Sequence, residues 1–325
     1  MVDNIFANAR AVAAETGLLG ADRLNRMADC DSPEEAFKIL SEVNFGDGAN
    51  ADVSDYERSI EAEEKKLAAF IREVSPDARL TRFLLAENDY HNAEAIMRSK
   101  YLKTDFADML TAEGLYGAEF LKEKIFSDDY KSFSPFLAEA LLAADNLFVS
   151  GRADGKAVSA LFRRALYREL SDAAKGEKLL SKIFVPKADA ANIAVAFRAR
   201  NAAQTAEMRV EGGTLTEEDL RFLSEENAET VREKYKFSPL KPFIDRAAED
   251  FAKNRPLSDF ERYADGYALE FLKKEKYSDE GYRPFLLYCL YKRAELKNVR
   301  IVMSCLTNGL SGNFIKERIR ESYEG

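Results

Sequence analysis

Apolar residues along this chain recur at three- and four-residue spacing, the period of a helix face. Tyr56, Ile60, Leu67, Phe70, Ile71 and Val74 form one such stripe, with Glu61 four residues before Lys65 on the solvated side. Val158, Leu161, Phe162, Ala165, Leu166 and Leu170 form a second within residues 156 to 174. Tyr263, Tyr267, Leu269, Phe271 and Leu272 form a third. Sustained alternation with period two is absent, so strands are not expected. Helix starts are written clearly. Ser32-Pro33-Glu34-Glu35 offers a cap, a first-turn proline and a capping-box acid. Thr216-Glu217-Glu218-Asp219 places acids at the positive end of a helix dipole. Ser54 is expected to cap the helix that follows it. The pattern predicts an all-α chain with short loops, the stretch from Phe45 to Ser54 excepted.

A longer rhythm overlies these helices. A glycine turn before a helix start appears at Gly17, Gly114, Gly213 and Gly309, at intervals of 97, 99 and 96 residues. An acid followed three residues later by an asparagine appears as Asp89–Asn92, Asp189–Asn192 and Glu295–Asn298. The reading is three pseudo-repeated helical units of about 100 residues. They divide the chain at 1–113, 114–212 and 213–325. The N-terminal tail resembles the end of a unit and the tail after Gly309 resembles the start of one. Such ends predict closure into a funnel-like socket, with Ile5, Phe6, Ala9 and Val12 packed against Leu310, Phe314, Ile315 and Ile319. The asparagines carry two readings. In one they line the socket. In the other, favoured because capping chemistry explains the spacing, each bonds backbone at its helix start with the acid as cap, worth about 1 kcal/mol. Arg98 and Arg198 follow Asn92 and Asn192 at the same offset and carry the same two readings, socket lining or inter-helix ion pairs; Arg300 beside Asn298 is a further candidate socket or structural repeat residue. Ser304 stands at that offset in the third unit, Glu295 replaces aspartate there, and Gly212-Gly213-Thr214 departs from the Gly-Leu-x-Gly turn, so the three units are not strictly equivalent.

Charge and composition then narrow the function. The 325 residues carry a net charge of −9, which argues against nucleic acid and against simple adhesion to anionic lipid. Three cysteines without a CxxC pair give no disulfide framework and suit a reducing compartment. The first residues do not read as a signal peptide, and no stretch approaches a membrane span. Catalytic motifs fail on spacing. Gly151 to Ala157 resembles a P-loop one residue short, with alanine where a magnesium-binding hydroxyl belongs. It reads better as a helix-start turn. Asp47 to Asp52 resembles part of a calcium loop, but Arg58 occupies the position of the bidentate acid. Asp128-Asp129 lacks the third carboxylate of a helical isoprenoid synthase, since Ser132 stands there. His91 is the single histidine, which excludes a multi-histidine metal site and reads as a helix-surface residue. Cys289 and Cys305 read as core. No enzyme, cofactor or metal site is expected.

Three segments together carry a family resemblance. They are Asn88 to Lys100, Ala188 to Arg198, and Glu295 to Met303 followed by Gly309-Leu310-Ser311-Gly312 and Ile315 to Ile319. With Asn8-Ala9-Arg10 before the Gly17 turn, their order and spacing resemble the C subunit of the V/A-type (vacuolar/archaeal-type) rotary ATPases, the counterpart of the d subunit of the eukaryotic enzyme. The resemblance spans essentially the whole chain. It implies an all-helical, funnel-shaped, non-catalytic socket of the central stalk. Such a socket couples a shaft made of the D and F subunits to the proteolipid ring in ATP-driven ion transport or ATP synthesis. It also implies a place on the cytoplasmic face of the membrane, held by protein contacts, with the cytoplasmic part of the I/a stator protein as a further partner. The competing reading from the residues alone is a helical-repeat adaptor. Solenoid repeats are usually about 20–50 residues, which disfavours an open solenoid.

Overall fold

A computed structural model describes residues 3–47, 53–104, 109–253, 256–274 and 281–324. Among these residues all regular structure is helical. The α-helices are α1 (Asn4–Glu15), α2 (Gly20–Ala28), α3 (Pro33–Glu42), α4 (Tyr56–Val74), α5 (Ala78–Leu102), α6 (Ala118–Phe126), α7 (Pro135–Val149) and α8 (Gly155–Ala174). They continue as α9 (Lys178–Ala199), α10 (Ala202–Met208), α11 (Glu217–Glu225), α12 (Ala228–Tyr235), α13 (Lys241–Ala252), α14 (Ser258–Lys273), α15 (Arg283–Thr307) and α16 (Gly312–Lys316).

The written helix starts form as expected, because a cap is a bond between near neighbours. Ser32 accepts the Glu35 N–H, and Glu35 accepts the Asp31 N–H. Thr216 and Asp219 make a reciprocal capping box on α11. Asp154 caps α8 through the Ala157 N–H, so the P-loop-like stretch is a helix-start turn. Ser54 differs from expectation: Asp55 precedes α4 and no side chain caps it. Most of the calcium-loop-like stretch, residues 48 to 52, lies outside the described residues.

Two compact units result, Met1–Asp77 with Ser258–Gly325, and Ala78–Leu257. These boundaries do not coincide with the three divisions read from the repeat. In the first unit α15 is the central helix, packed against α1, α2, α3, α4 and α14. Its apolar residues Phe285, Leu286, Leu287, Cys289, Val299, Val302 and Met303 have no exposure. In the second unit α8 packs on α5, α7 and α9, and α9 packs further on α10, α11 and α13. Ala188, Ala190, Ala191, Ala194 and Ala196 of α9 are all buried; their small side chains let neighbouring helices approach closely.

The termini meet, but of the residues expected to pack there Ile315 is fully buried while Ile5, Phe6, Val12 and Leu310 are exposed. Ile5 is 77% exposed, Phe6 47%, Val12 49% and Leu310 38%. α1 instead buries its other face, Ala7, Ala11 and Glu15, and packs on α15 and α4. Both faces of α1 carry apolar residues, and only the narrow alanine face fits tightly against a large helix. The contact between the ends runs through α2 and α16. Ile315 is fully buried there, and Lys316 pairs with Asp29 at 2.6 Å.

Candidate functional site

Six buried polar residues, Asp89, Asn92, Asp189, Asn192, Glu295 and Asn298, lie on the long helices that hold the glycine turns. α5, α9 and α15 each carry the acid and the asparagine well inside the helix, not at its start. The expectation that they cap their own helices is therefore corrected. A mid-helix side chain has no free N–H beside it, because the ladder already satisfies its neighbours. It must reach another segment.

The first of these interlocks is built on α5. Asp89 accepts the Leu115 N–H at 2.7 Å and the Tyr116 N–H at 3.0 Å. A Cβ on Gly114 would lie 2.3 Å from the Asp89 carboxylate, so the turn needs glycine to let the acid approach. Asn92, fully buried, pairs with both backbone polar groups of Thr111: its Oδ1 accepts the N–H at 2.8 Å and its Nδ2 donates to the carbonyl at 3.3 Å. The second interlock, on α9, repeats this chemistry. Asp189 accepts the Thr214 N–H at 2.6 Å, the Leu215 N–H at 3.1 Å and the Thr214 hydroxyl at 2.8 Å. A Cβ on Gly213 would lie 2.2 Å from its Oδ1. Asn192 accepts the Val210 N–H at 2.8 Å and donates to the Val210 carbonyl at 2.9 Å. Burial pushes the Asp189 carboxyl above the usual range, and the Thr214 and Leu215 bonds offset it only in part.

The third interlock joins the chain ends. Glu295 of α15 accepts the Leu19 N–H, 276 positions away, just beyond the Gly17 turn. Asn298 accepts the Arg320 N–H at 2.8 Å and donates to the Arg320 carbonyl at 3.2 Å. Each long helix thus holds the turn that opens the next stretch of chain, and the last holds the turn that opens the first. Gly309 is not a member of this set. Its φ of 69° places it just after α15, where the Leu310 N–H reaches the Cys305 carbonyl and the Gly309 N–H the Leu306 carbonyl, a Schellman ending.

Two residues at a further offset also take part. Lys100 and Arg200 stand eight residues after their asparagines. Lys100 Nζ donates to the Ile125 carbonyl at 3.1 Å, in the last turn of α6. Arg200 donates to the Leu223 and Glu226 carbonyls at 3.0 and 2.5 Å, at the end of α11. A cation there satisfies orphan carbonyls and the negative end of the dipole. The signal was present as a basic residue at the same step in two copies. In the third copy Leu306 occupies the step.

The remaining sequence candidates lie elsewhere. Arg98, half-buried, bonds Glu94 at 2.7 Å, the Gly155 carbonyl at 3.0 Å and Ser159 at 2.9 Å, tying α5 to the start of α8. Arg198 is exposed on α9. Arg300 reaches Glu57 at 3.0 Å and Glu64 at 3.3 Å, tying α15 to α4. His91 places Nε2 2.7 Å from the Met109 carbonyl on an exposed surface. Asp128 and Asp129 pair with Lys100 and Lys124. Cys289 is buried, and burial pushes its thiol up to about 12. Among the described residues no cluster of acids, cysteines and histidine is arranged to hold a metal, and no helix is long and apolar enough to cross a membrane.

Two predictions arise here. Asn192→Ala leaves the N–H and the carbonyl of Val210, a residue 4% exposed, both unpaired. At about 1–3 kcal/mol for each buried group, the loss is expected at about 2–5 kcal/mol, above that of an ordinary cap. Urea denaturation measures it; a loss under about 0.5 kcal/mol would contradict a buried double bond. The second concerns Asp219 of α11. Burial raises its carboxyl, but the bonds from Thr216, Tyr235 and Lys234 outweigh it and bring the group down to about 2. A depressed carboxylate contributes stability that is present above its unfolded value of about 3.9 and is lost as pH falls through the folded value. Asp219→Asn is therefore expected to flatten the acid limb between about pH 4 and pH 2 in a melting series, and an unchanged limb would rule this out.

The fold and its interlocks define a class: an all-helical protein whose buried polar side chains hold its own backbone. A family model described as ATP synthase (C/AC39) subunit matches residues 7–318. The chain belongs to that family. It is 29% identical over 185 residues to the C subunit of the V-type ATP synthase of Thermus thermophilus, equally so in two strains of that organism. That match covers 56% of this chain and 52% of the relative, about half the length of each. It is 22% identical over 340 aligned positions to the C subunit of the A-type ATP synthase of Thermococcus kodakarensis, covering 97% of this chain and 90% of the relative.

Proposed function

We propose that this chain is the central-stalk rotor component of a V/A-type rotary ATPase. In this reading it is a non-catalytic, funnel-like socket on the cytoplasmic face of the membrane. It is seated on the proteolipid ring, receives the shaft made of the D and F subunits, and transmits torque in ATP-driven ion transport or ATP synthesis. The observation that carries this reading is the circuit of interlocks. Asp89 holds the turn at Gly114, Asp189 the turn at Gly213, and Glu295 the turn after Gly17. A part that only transmits torque needs rigid internal connections more than it needs reactive groups. Here Asp89, Asp189 and Glu295, with Asn92, Asn192 and Asn298, bond backbone.

The test is reconstitution. The purified chain is mixed with a detergent-solubilised proteolipid ring and, separately, with a purified D–F shaft. Stoichiometric capture by both is expected. Failure to bind either one would overturn the socket reading. Calorimetry with ATP and magnesium is expected to show no stoichiometric binding, and tight binding would overturn the non-catalytic part.

A further inference from the structure

The third interlock is built differently from the other two. At the first, the partners of Asn92 and Asp89 are Thr111 and Leu115, four residues apart on one loop. At the second they are Val210 and Thr214, again four apart. A bond lost there re-forms quickly, because the tethered neighbour keeps its partner close. At the third, the partner of Asn298 is Arg320 and that of Glu295 is Leu19, at opposite ends of the chain. No cation stands at the Leu306 step. Residues 320 to 324 have no helix ladder of their own.

Beyond Asn298, which also donates to the Ser322 hydroxyl at 3.1 Å, what holds this segment is a set of half-exposed ion pairs. Lys273 pairs with Glu324 at 2.8 Å and with Glu321 at 3.4 Å, and Arg320 pairs with Asp265 at 3.0 Å. The Tyr323 ring meets Tyr291 edge-on. In return the segment serves α2. The Tyr323 carbonyl accepts the Ala21 N–H at 2.8 Å, and no side chain caps that helix start. α11, by contrast, carries its own capping box. Glu295 is anchored separately, by Lys292 at 2.7 Å inside the core.

We propose that residues 319–324 are a releasable clasp. When the clasp lifts, Asn298 and the first turn of α2 lose these partners, while Glu295 keeps the N-terminal turn on α15 and Ile315 and Lys316 keep α16 on α2. The third interlock is then the one that loosens most readily, because half of it is carried by the clasp. Resting on the socket reading, this is the seam at which the socket widens to admit a shaft.

Native-state hydrogen exchange on the intact chain tests the clasp without any partner, so its outcome is independent of the socket reading. The Arg320 and Ala21 amides are expected to exchange about tenfold or more faster than the Thr111 and Val210 amides, which report sub-global opening at the other interlocks. Raising salt from about 0.05 to about 0.5 M is expected to widen that gap, since surface ion pairs are screened. The Leu19 amide is expected to stay as protected as Leu115 and Leu215. Lys273→Met is expected to speed Arg320 and Ala21 alone. Equal exchange at all three asparagine partners, or a gap insensitive to both salt and Lys273→Met, would overturn the clasp. For the seam, a disulfide between cysteines placed at Ala21 and Tyr323 is expected to slow capture of the D–F shaft and to restore its rate on reduction. An unchanged rate in a chain that still binds the shaft would overturn the seam while leaving the socket reading intact.

Discussion

Deleting residues 309–325 is expected to lower the stability of the whole first unit by about 3–6 kcal/mol, not merely to trim a frayed end. Ile315 has no exposure, and burying a side chain of that size contributes about 1.5–3 kcal/mol. Asn298, also without exposure, loses both the N–H and the carbonyl of Arg320. An orphaned polar group costs about 1–3 kcal/mol, less where water reaches it. The Ala21 N–H loses its acceptor as well. Against a net stability of about 5–15 kcal/mol, such a loss is a large fraction. The truncated chain should melt well below the intact one and be cut by protease first around α1 and α2. Ile315→Ala isolates the burial term, expected at about 2–5 kcal/mol. Equal melting and equal protease resistance of the truncated and intact chains would show that the ends do not hold the unit together.

What was legible in the sequence was what neighbouring residues decide. The caps at Ser32 and Thr216 were readable because donor and acceptor lie three residues apart. The spacing of Gly17, Gly114 and Gly213 was readable, and so was that of Asp89, Asp189 and Glu295. That each acid holds a glycine turn was not, because the bonds span 25 to 27 residues in two copies and 276 in the third. Distance along the chain says nothing of which helix faces which loop. Gly309 illustrates the limit from the other side. It keeps the rhythm of the turns, yet it ends a helix with a left-handed residue where the others begin one. α1 misleads for a different reason. Ile5, Phe6 and Val12 form the larger apolar stripe, but the alanine face docks, because close helix packing rewards fit over stripe size. Lys100 and Arg200 were hidden beside Arg98 and Arg198, which keep an equally regular offset from the asparagines, although Arg98 ties α5 to the start of α8 and Arg198 is exposed.

Lys292→Met is expected to be the most damaging single change, about 3–5 kcal/mol at neutral pH. Lys292 is 7% exposed and sits between two buried acids, 2.7 Å from Glu63 and 2.7 Å from Glu295. Glu63 also accepts the Gly46 N–H, and Glu295 holds the Leu19 turn. Burial pulls the lysine down, but Glu295 and Glu63 outweigh it and hold the ammonium above its ordinary value. Burial raises Glu63, yet Lys292, Lys66 and Gly46 bring it below its ordinary value; Glu295 stays raised because burial outweighs its partners. Without the cation, two carboxylates share one dry site, and burial and mutual repulsion raise the folded pKa of each. A group with a raised folded pKa contributes stability below its unfolded value and loses it as pH rises through the folded one. The variant's deficit should therefore be largest near pH 7 and shrink toward about pH 4–5, where the acids take up protons. Wild type should not show that recovery, because its lysine keeps the charge until strongly alkaline pH. Urea midpoints for both proteins at the two pH values measure the difference. Lys292→Met combined with Glu295→Gln removes a charge of each sign while leaving an acceptor for the Leu19 N–H, and should recover part of the loss. A deficit that stays constant or grows on acidification would mean that Lys292 does not neutralise Glu63 and Glu295 in the folded chain.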